Sequence, residues 1–279
     1  MDLGIDIEIV LERARISMAD GQMEEAARCL SMAANYFRAV GDLQNYLYRK
    51  RLAADCFMRA AKAHMDEGNE SKGFMNYCYA LNCYRELEDS ESSKACIEEV
   101  VGRISDQIFY RVDIQAGRKI AELLLEIGDH GRAAKCLEVL GKRALDDGKR
   151  SLNALFLSLA ASCYEKQGMP ERAAELHESA AESYSALENF YEASSELVLA
   201  SLQRTVLKDF PGAYSSACKA RELCDVGGIL EVWHRQLVEV CLHLASKDIE
   251  LAFASWKGIR RKFKPSFVMK VEEAFRASC

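Results

Sequence analysis

Apolar residues recur at helical spacings along nearly the whole chain, and short polar turns interrupt them at even steps. The pattern is plainest between Gly128 and Ala193: G-D-H-G-R-A-A-K-C-L-E-V-L-G-K-R-A-L-D-D-G-K-R, then Q-G-M-P-E-R-A-A-E-L-H-E-S-A-A-E-S-Y, then E-N-F-Y-E-A-S-S-E-L. In each passage one helix stops at a turn, and the next opens with a small residue about five positions later. The turns fall at Gly128, Gly148, Gly168 and Glu188, and the comb continues forwards through Lys208, Gly228 and Asp248 and backwards through Ile108, Glu88 and Gly68. A step of about 20 residues holds one helix of four to five turns and its join. Two such helices make a unit of about 40 residues, so the chain reads as a helical repeat array. Val, Ile and Thr never alternate strictly, and no strand is predicted.

The first helix is expected from about Ile5 to Met18, carrying Ile5, Ile9, Leu11 and Ile16, and the second from Met23 to Val40. In the second, Ala26, Ala27, Ala33 and Ala34 permit close approach to neighbours while Leu30, Tyr36 and Phe37 fill the gaps. The step from Gly41 to Gly68 is longer than the rest, so the helix over 43–66 is predicted to overhang, with Tyr46, Tyr48, Arg49, Lys50 and Arg51 on the overhang. That end is either a contact surface, rich in interface-favoured residues, or a solvated helix end. Helices follow over 70–87, 91–105, 110–127, 131–147, 151–167, 170–187 and 190–207. The comb is least regular over 109–114, where a helix starts late. After the double glycine Gly227-Gly228, read as a helix C-cap and bend, come three short bulky helices over 229–245, 248–259 and 266–277, holding both tryptophans. They are expected to form a terminal bundle that hides the open end of the array. The predicted organisation is thus a hairpin array over 1–225 and a capping bundle over 226–279.

Composition narrows the function classes. With 49% hydrophobic residues the chain can bury a sizeable core, and its formal charge of −6 argues against a general nucleic-acid binder. No apolar run is long enough to span a bilayer, and the opening M-D-L-G-I-D-I-E has no basic or apolar leader region, so a cytoplasmic location is expected. The eleven cysteines are scattered without a C-x-x-C pair, as small buried apolar residues would be. The three prolines, at 170, 211 and 265, each lie at a turn of the comb.

Candidate chemistry is sparse. There is no glycine-rich phosphate loop and no helical pair of histidines for a metal. His177 with Glu178 and Glu182, or His234 beside Glu231, can be drawn as acid/base pairs, but a helical chain with 29% charged residues offers such neighbours everywhere. No catalytic, cofactor or metal site is expected. The sharp charge feature is K-G-I-R-R-K-F-K, 257–264, in which Lys257, Arg260, Arg261, Lys262 and Lys264 stand without an acid. These bases either complement a helix dipole or meet an acidic partner or anionic lipid head groups, which leaves peripheral membrane association open. Arg118 and Lys119 add basic charge to the middle of the chain.

The passage M-E-E-A-A-R-C-L-S-M-A-A-N-Y-F-R-A-V-G-D, followed by A-D-C-F-M-R-A-A-K-A-H and a helix ending N-C-Y-R-E, resembles the first units of the soluble NSF attachment proteins (SNAPs), within the wider tetratricopeptide-like (TPR-like) helical repeats. The later L-V-E-V-C-L-H-L-A-S-K-D-I-E-L-A-F-A-S-W resembles their C-terminal bundle. The resemblance implies an all-α, right-handed solenoid of antiparallel helical hairpins. It also implies a non-enzymatic adaptor in vesicle trafficking that grips a SNARE-type coiled-coil bundle and recruits an AAA ATPase to disassemble it. On that reading Arg118, Lys119, Lys257, Arg260, Arg261, Lys262, Lys264, Glu272 and Glu273 are the expected partner-binding residues. The chain departs from the family at the short A-D-G-Q-M join between its first helices, at the uncharged Gln115, Asn153 and Ser158, and at its tail, where Glu272 and Glu273 stand in for an acidic, leucine-containing end. The alternative is a general TPR-type scaffold for peptides or assembly partners.

Overall fold

The computed structural model describes residues 6–278; it is all-helical, with fifteen α-helices and no strand among the described residues. The predicted start of the first helix at Ile5 lies outside them. The chain divides into two compact units, Met1–Leu123 and Leu124–Cys279. In the first, α1 (Ile7–Ala19), α2 (Met23–Ala39), α3 (Leu43–Asp66), α4 (Glu70–Glu86) and α5 (Ser90–Arg103) each pack on the next. A four-residue helix, α6 (Ile108–Arg111), then rests on α4, and α7 (Ile114–Glu126) follows. In the second, α8 (His130–Asp146), α9 (Arg150–Lys166), α10 (Pro170–Ser185), α11 (Phe190–Val206) and α12 (Phe210–Val226) repeat the same sequential packing. The last helices are α13 (Val232–Ala245), α14 (Ile249–Ile259) and α15 (Pro265–Ser278), with a single 3-10 turn at Arg260–Lys262.

One joint, used repeatedly, sets the comb. At Gly21, Gly41, Gly68, Gly128, Gly148, Gly168 and Gly228 the backbone enters the left-handed region, and the following amide donates back to a carbonyl five residues earlier. Examples are Asp129 to Leu124 (2.8 Å), Lys149 to Ala144 (2.7 Å) and Ile229 to Cys224 (3.0 Å). This closure satisfies carbonyls that a helix end leaves bare. Glu88, Glu188, Lys208 and Lys247 occupy the same left-handed position without being glycine. In several joins the next residue is an aspartate whose side chain caps the new helix: Asp42 on Asn45, Asp89 on Ser92, Asp129 on Arg132 and Asp209 on Gly212. The comb fails at Ile108, which lies inside α6. There Ile104 and Val112 are extended, and Asp113 caps a late-starting α7 through the amide of Ala116.

Pairs of positions seven residues apart along several helices carry small side chains, five and six residues past the joins at Gly21, Gly128 and Gly168 and twelve and thirteen past Gly41. Ala53–Ala54 with Ala60–Ala61, Ala133–Ala134 with Leu140–Gly141, and Ala173–Ala174 with Ala180–Ala181 are all buried. Each pair sits where two helices cross, and the missing bulk lets the backbones close up. At Gly141 even a methyl group would stand 3.1 Å from the Leu157 side chain.

The predicted overhang of α3 is corrected by the structure. Tyr46 and Lys50 are buried: the Tyr46 hydroxyl donates to Glu86, and Lys50, 5% exposed, pairs with the same carboxylate at 2.9 Å. Arg51 pairs with Asp89, and Tyr48 alone of the tyrosines there stays exposed. The extra turns of α3 have a neighbour because α4 and its cap reach back over them, which helix length by itself does not disclose.

Three substitutions probe the joints and crossings. Lys208→Gly should raise the urea midpoint by the equivalent of about 0.5–1 kcal/mol, because glycine enters the left-handed region without the cost a side chain bears, and Gly148→Ala should lower it by about 1 kcal/mol. Ala174→Leu should cost at least about 2 kcal/mol in the same measurement, since the crossing has no room for it.

Candidate protein interface

Each unit has two helix layers. In the second, α9 and α11 lie side by side, joined by Ser158 to Glu196 (2.6 Å) and by Gln203 to Glu165 (2.8 Å). On the other layer, α8 meets α10 through Arg172 and Glu138, and α10 meets α12 where the Ser216 hydroxyl donates to Glu178 (2.8 Å). On the layer of α9 and α11 the chain itself covers α11, while Leu155 and Leu159 of α9 stay exposed. Helix α15 packs on α11 and α13, with Val271 and Ala274 buried in a cluster that also holds Val198, Leu202, Leu237 and Val240.

A charged cluster fastens that cover. His177 on α10 is fully buried, its Nδ1 2.5 Å from Glu196 and its Nε2 3.3 Å from Glu165. Glu165 also accepts from Lys270 of α15. Two carboxylates thus face an imidazole and an ammonium, so the buried charges balance when His177 is protonated. Burial alone would disfavour the imidazolium, but hydrogen bonds to the two glutamates hold its pKa above the ordinary 6.5. Burial likewise opposes ionisation of Glu165, yet His177 and Lys270 keep it below 4.5. The partners of His177 are therefore Glu165 and Glu196, twelve and nineteen residues away, and not Glu178 or Glu182. Glu178 instead forms a bidentate pair with Arg204. His234 is likewise turned inward, 2.9 Å from the Ser194 hydroxyl, which gives its own hydrogen to the Ala220 carbonyl. A serine whose proton is directed at a backbone carbonyl, in a pair buried from solvent, is a packing contact and no nucleophile. Burial also pushes the Cys136 and Cys241 thiols up to about 12, holding them neutral in the core.

The opposite layer is open. Between α10 and α12, over α11, runs a groove of about 520 Å³ floored by Ala181, Leu197 and Leu223 and rimmed by Glu178, Glu182, Lys219 and Glu222. Glu182 and Glu222 make no ion pair among the described residues. The first unit holds a counterpart of about 440 Å³ between α2 and α4, over α3, with Met32, Phe57 and Tyr79 as its apolar wall and Arg28, Lys50 and Glu86 as its polar one. Phe57 and Tyr79 pack ring to ring at 5.3 Å, and Met32 and Tyr79 remain exposed.

The residues expected to bind partners are distributed otherwise. Arg118 and Lys119, on α7, both reach Glu122, at 3.4 and 2.7 Å. Lys257 lies in the last turn of α14, Arg260, Arg261 and Lys262 form the 3-10 turn, and Lys264 follows it. Glu272 and Glu273 lie on α15, and Glu272 accepts a 2.6 Å ion pair from Arg260. The structure brings Arg260 and Glu272 together and spends both on each other. Neither groove was legible as a site in the sequence, whose periodicity marks the apolar faces but not which of them a later helix covers.

No known family model matches the chain, and no curated protein matches it. Among solved structures it is similar to the apo form of RapI, at 11% identity and a TM-score of 0.45, over 98% of this chain and 96% of that one. It is also similar to BtubC (BKLC) from P. vanneervenii, at 16% identity and a TM-score of 0.44, over 92% and 91%. A third is a signal transduction ATPase with numerous domains from Pyrococcus horikoshii that carries a tetratricopeptide repeat sensor, at 16% identity and a TM-score of 0.49; all of this chain aligns with 45% of that one. Among the described residues, no helix is long and apolar enough to cross a membrane.

The His177 cluster has a pH signature. Its histidine contribution is present in full below pH 6.5 and is lost as pH rises through the raised value, while that of Glu165 is full above 4.5 and is lost as pH falls through the lowered one. His177→Gln leaves two buried carboxylates with Lys270 as the one cation beside them and should cost about 3–5 kcal/mol in urea unfolding. The deficit against wild type should be largest between pH 4.5 and 6.5 and shrink on either side.

Proposed function

We propose that this chain is a non-enzymatic interaction scaffold that holds protein segments in the grooves between alternate helices. The observation that carries this reading is the recurrence of an open groove, apolar at its floor and charged at its rim, on the corresponding layer of each unit. A groove of that form takes the apolar face of a helix or an extended segment, with side chains as anchors and the rim setting charge preference. The rim glutamates between α10 and α12 favour a basic amphipathic helix there. Residues 226–279 serve as the cap of the array on this view, keeping its other layer filled.

The SNAP-like reading is the narrower form of the same idea, with a SNARE-type helical bundle as the cargo and an AAA ATPase as the recruited motor. It rests on the sequence resemblance. Of its residues, Lys257, Arg261, Lys262, Lys264 and Glu273 make no ion pair among the described residues and are exposed.

The test uses a labelled peptide with leucines at helical spacing and lysines between them, and a control with glutamates for the lysines. Fluorescence anisotropy should show saturable binding of the basic peptide, weakened at least about tenfold by Glu182→Lys with Glu222→Lys, as loss of a pair of rim charges predicts. Met32→Glu with Tyr79→Glu should abolish any second, unit-one site. Absence of saturable binding by either peptide, or indifference to both pairs of substitutions, would exclude the groove reading. ATP-dependent disassembly of a SNARE-type four-helix bundle in the presence of an AAA ATPase would select the narrower form.

A further inference from the structure

The basic run 257–264 is held in one orientation by the aromatic residue inside it. The Phe263 ring stacks on Phe267 at 4.8 Å and meets Trp233 and Trp256, each at 5.5 Å. With Phe263 seated in that cluster, Lys257, Arg261, Lys262 and Lys264 all face solvent and pair with no acid among the described residues. Arg260 is taken by Glu272.

The helix before the run has an unusual outer face. Ala252, Trp256 and Ile259 point into the core, and the opposite arc exposes Glu250, Leu251, Phe253, Ala254, Lys257 and Gly258. Leu251 is 51% exposed and Phe253 59% exposed, at the two edges of that arc. Between them lie Glu250, Ala254, Lys257 and Gly258, and a methyl group built at Gly258 would meet nothing. Leu251 and Phe253, the latter edge to face with Phe275 at 6.4 Å, therefore flank a strip that leads into a cluster of bases. Glu250, the one acid on the face, lies about two helical turns from Lys257. The charge of the chain is polarised in the same sense. Residues 247–278 hold eight Lys and Arg against four Asp and Glu, so in a chain of formal charge −6 the remainder carries −10.

We propose that this face of α14, with the basic turn after it, is a peripheral docking surface for an anionic lipid bilayer. Helix α14 lies in the interfacial plane, Leu251 and Phe253 enter between the lipids, and Lys257, Arg261, Lys262 and Lys264 engage the head groups. An amphipathic helix combining shallow apolar anchors with adjacent bases binds through buried apolar area and attraction to anionic lipid together. The polarised charge orients the approach, drawing the basic end to the surface while the acidic remainder is repelled from it. A nucleic acid would use the bases but leave Leu251 and Phe253 without a role, and an acidic protein would need to cover them with a complementary apolar face.

Vesicle flotation with the full chain tests the surface, using phosphatidylcholine vesicles with and without phosphatidylserine. The chain should float with the phosphatidylserine vesicles, weakly or not at all with phosphatidylcholine alone, and less as salt rises. Reversing Lys257, Arg261, Lys262 and Lys264 to glutamate should lower the partition coefficient at least tenfold. Phe253→Ser with Leu251→Ser should lower it severalfold while leaving the salt dependence in place. These residues are exposed, so circular dichroism and melting of both variants should match wild type, and a variant that melts early is replaced by Lys257→Gln with Lys262→Gln. Failure to float with phosphatidylserine vesicles would overturn the proposal. So would flotation indifferent to the charge reversal, or apolar substitutions without effect combined with equally tight binding of heparin, which would mark a general polyanion site.

Discussion

Close contact between helix backbones is the constraint on which this structure depends. Helices of four to five turns stack tightly only where both lack bulk at the crossing, and the paired alanines at 53–54 and 60–61 of α3, 133–134 of α8, and 173–174 and 180–181 of α10 supply that. The joint between helices must then deliver each crossing to the same height. The left-handed residue and the five-back hydrogen bond do so with little variation from one join to the next, which keeps the small pairs aligned across neighbours. Four joins hold this geometry with Glu or Lys in place of glycine. The conformation there is imposed by packing on either side.

Within this regular frame, polar burial distinguishes one layer from the other. The cluster of Glu165, His177, Glu196 and Lys270 spans α9, α10, α11 and α15, and it ties the last helix of the chain to the middle of the second unit. A balanced buried cluster contributes modestly to net stability, but breaking one member is costly, so it favours a single docking position for α15 over neighbouring registers. With that layer occupied, the α10–α12 groove is left on the layer that α15 does not cover. Among the ionisable groups with shifted behaviour, Glu165 and His177 are buried with their partners filled, while Glu178, paired with Arg204, stands at the rim of the groove.

The sequence determined the helices, their joins and their crossings. The turn at Gly148 or Glu188, the cap at Asp129 and the small pairs that follow them are local signals, because helix termination and close approach are decided within a few residues. The sequence also fixed where the repeat breaks, at 109–114, since the run there lacks both a left-handed joint and the small pair. Tertiary structure decided which faces remain open. Partners of His177 lie on the helices before and after its own, out of reach of any local pattern, and the burial of Tyr46 and Lys50 depends on the end of α4 folding back over α3. Likewise the exposure of Leu251 and Phe253 follows from how α14 is seated by its aromatic neighbours, because amphipathic spacing marks a face as apolar without saying what lies against it. Periodicity is a property of one helix, whereas coverage belongs to the assembly of several.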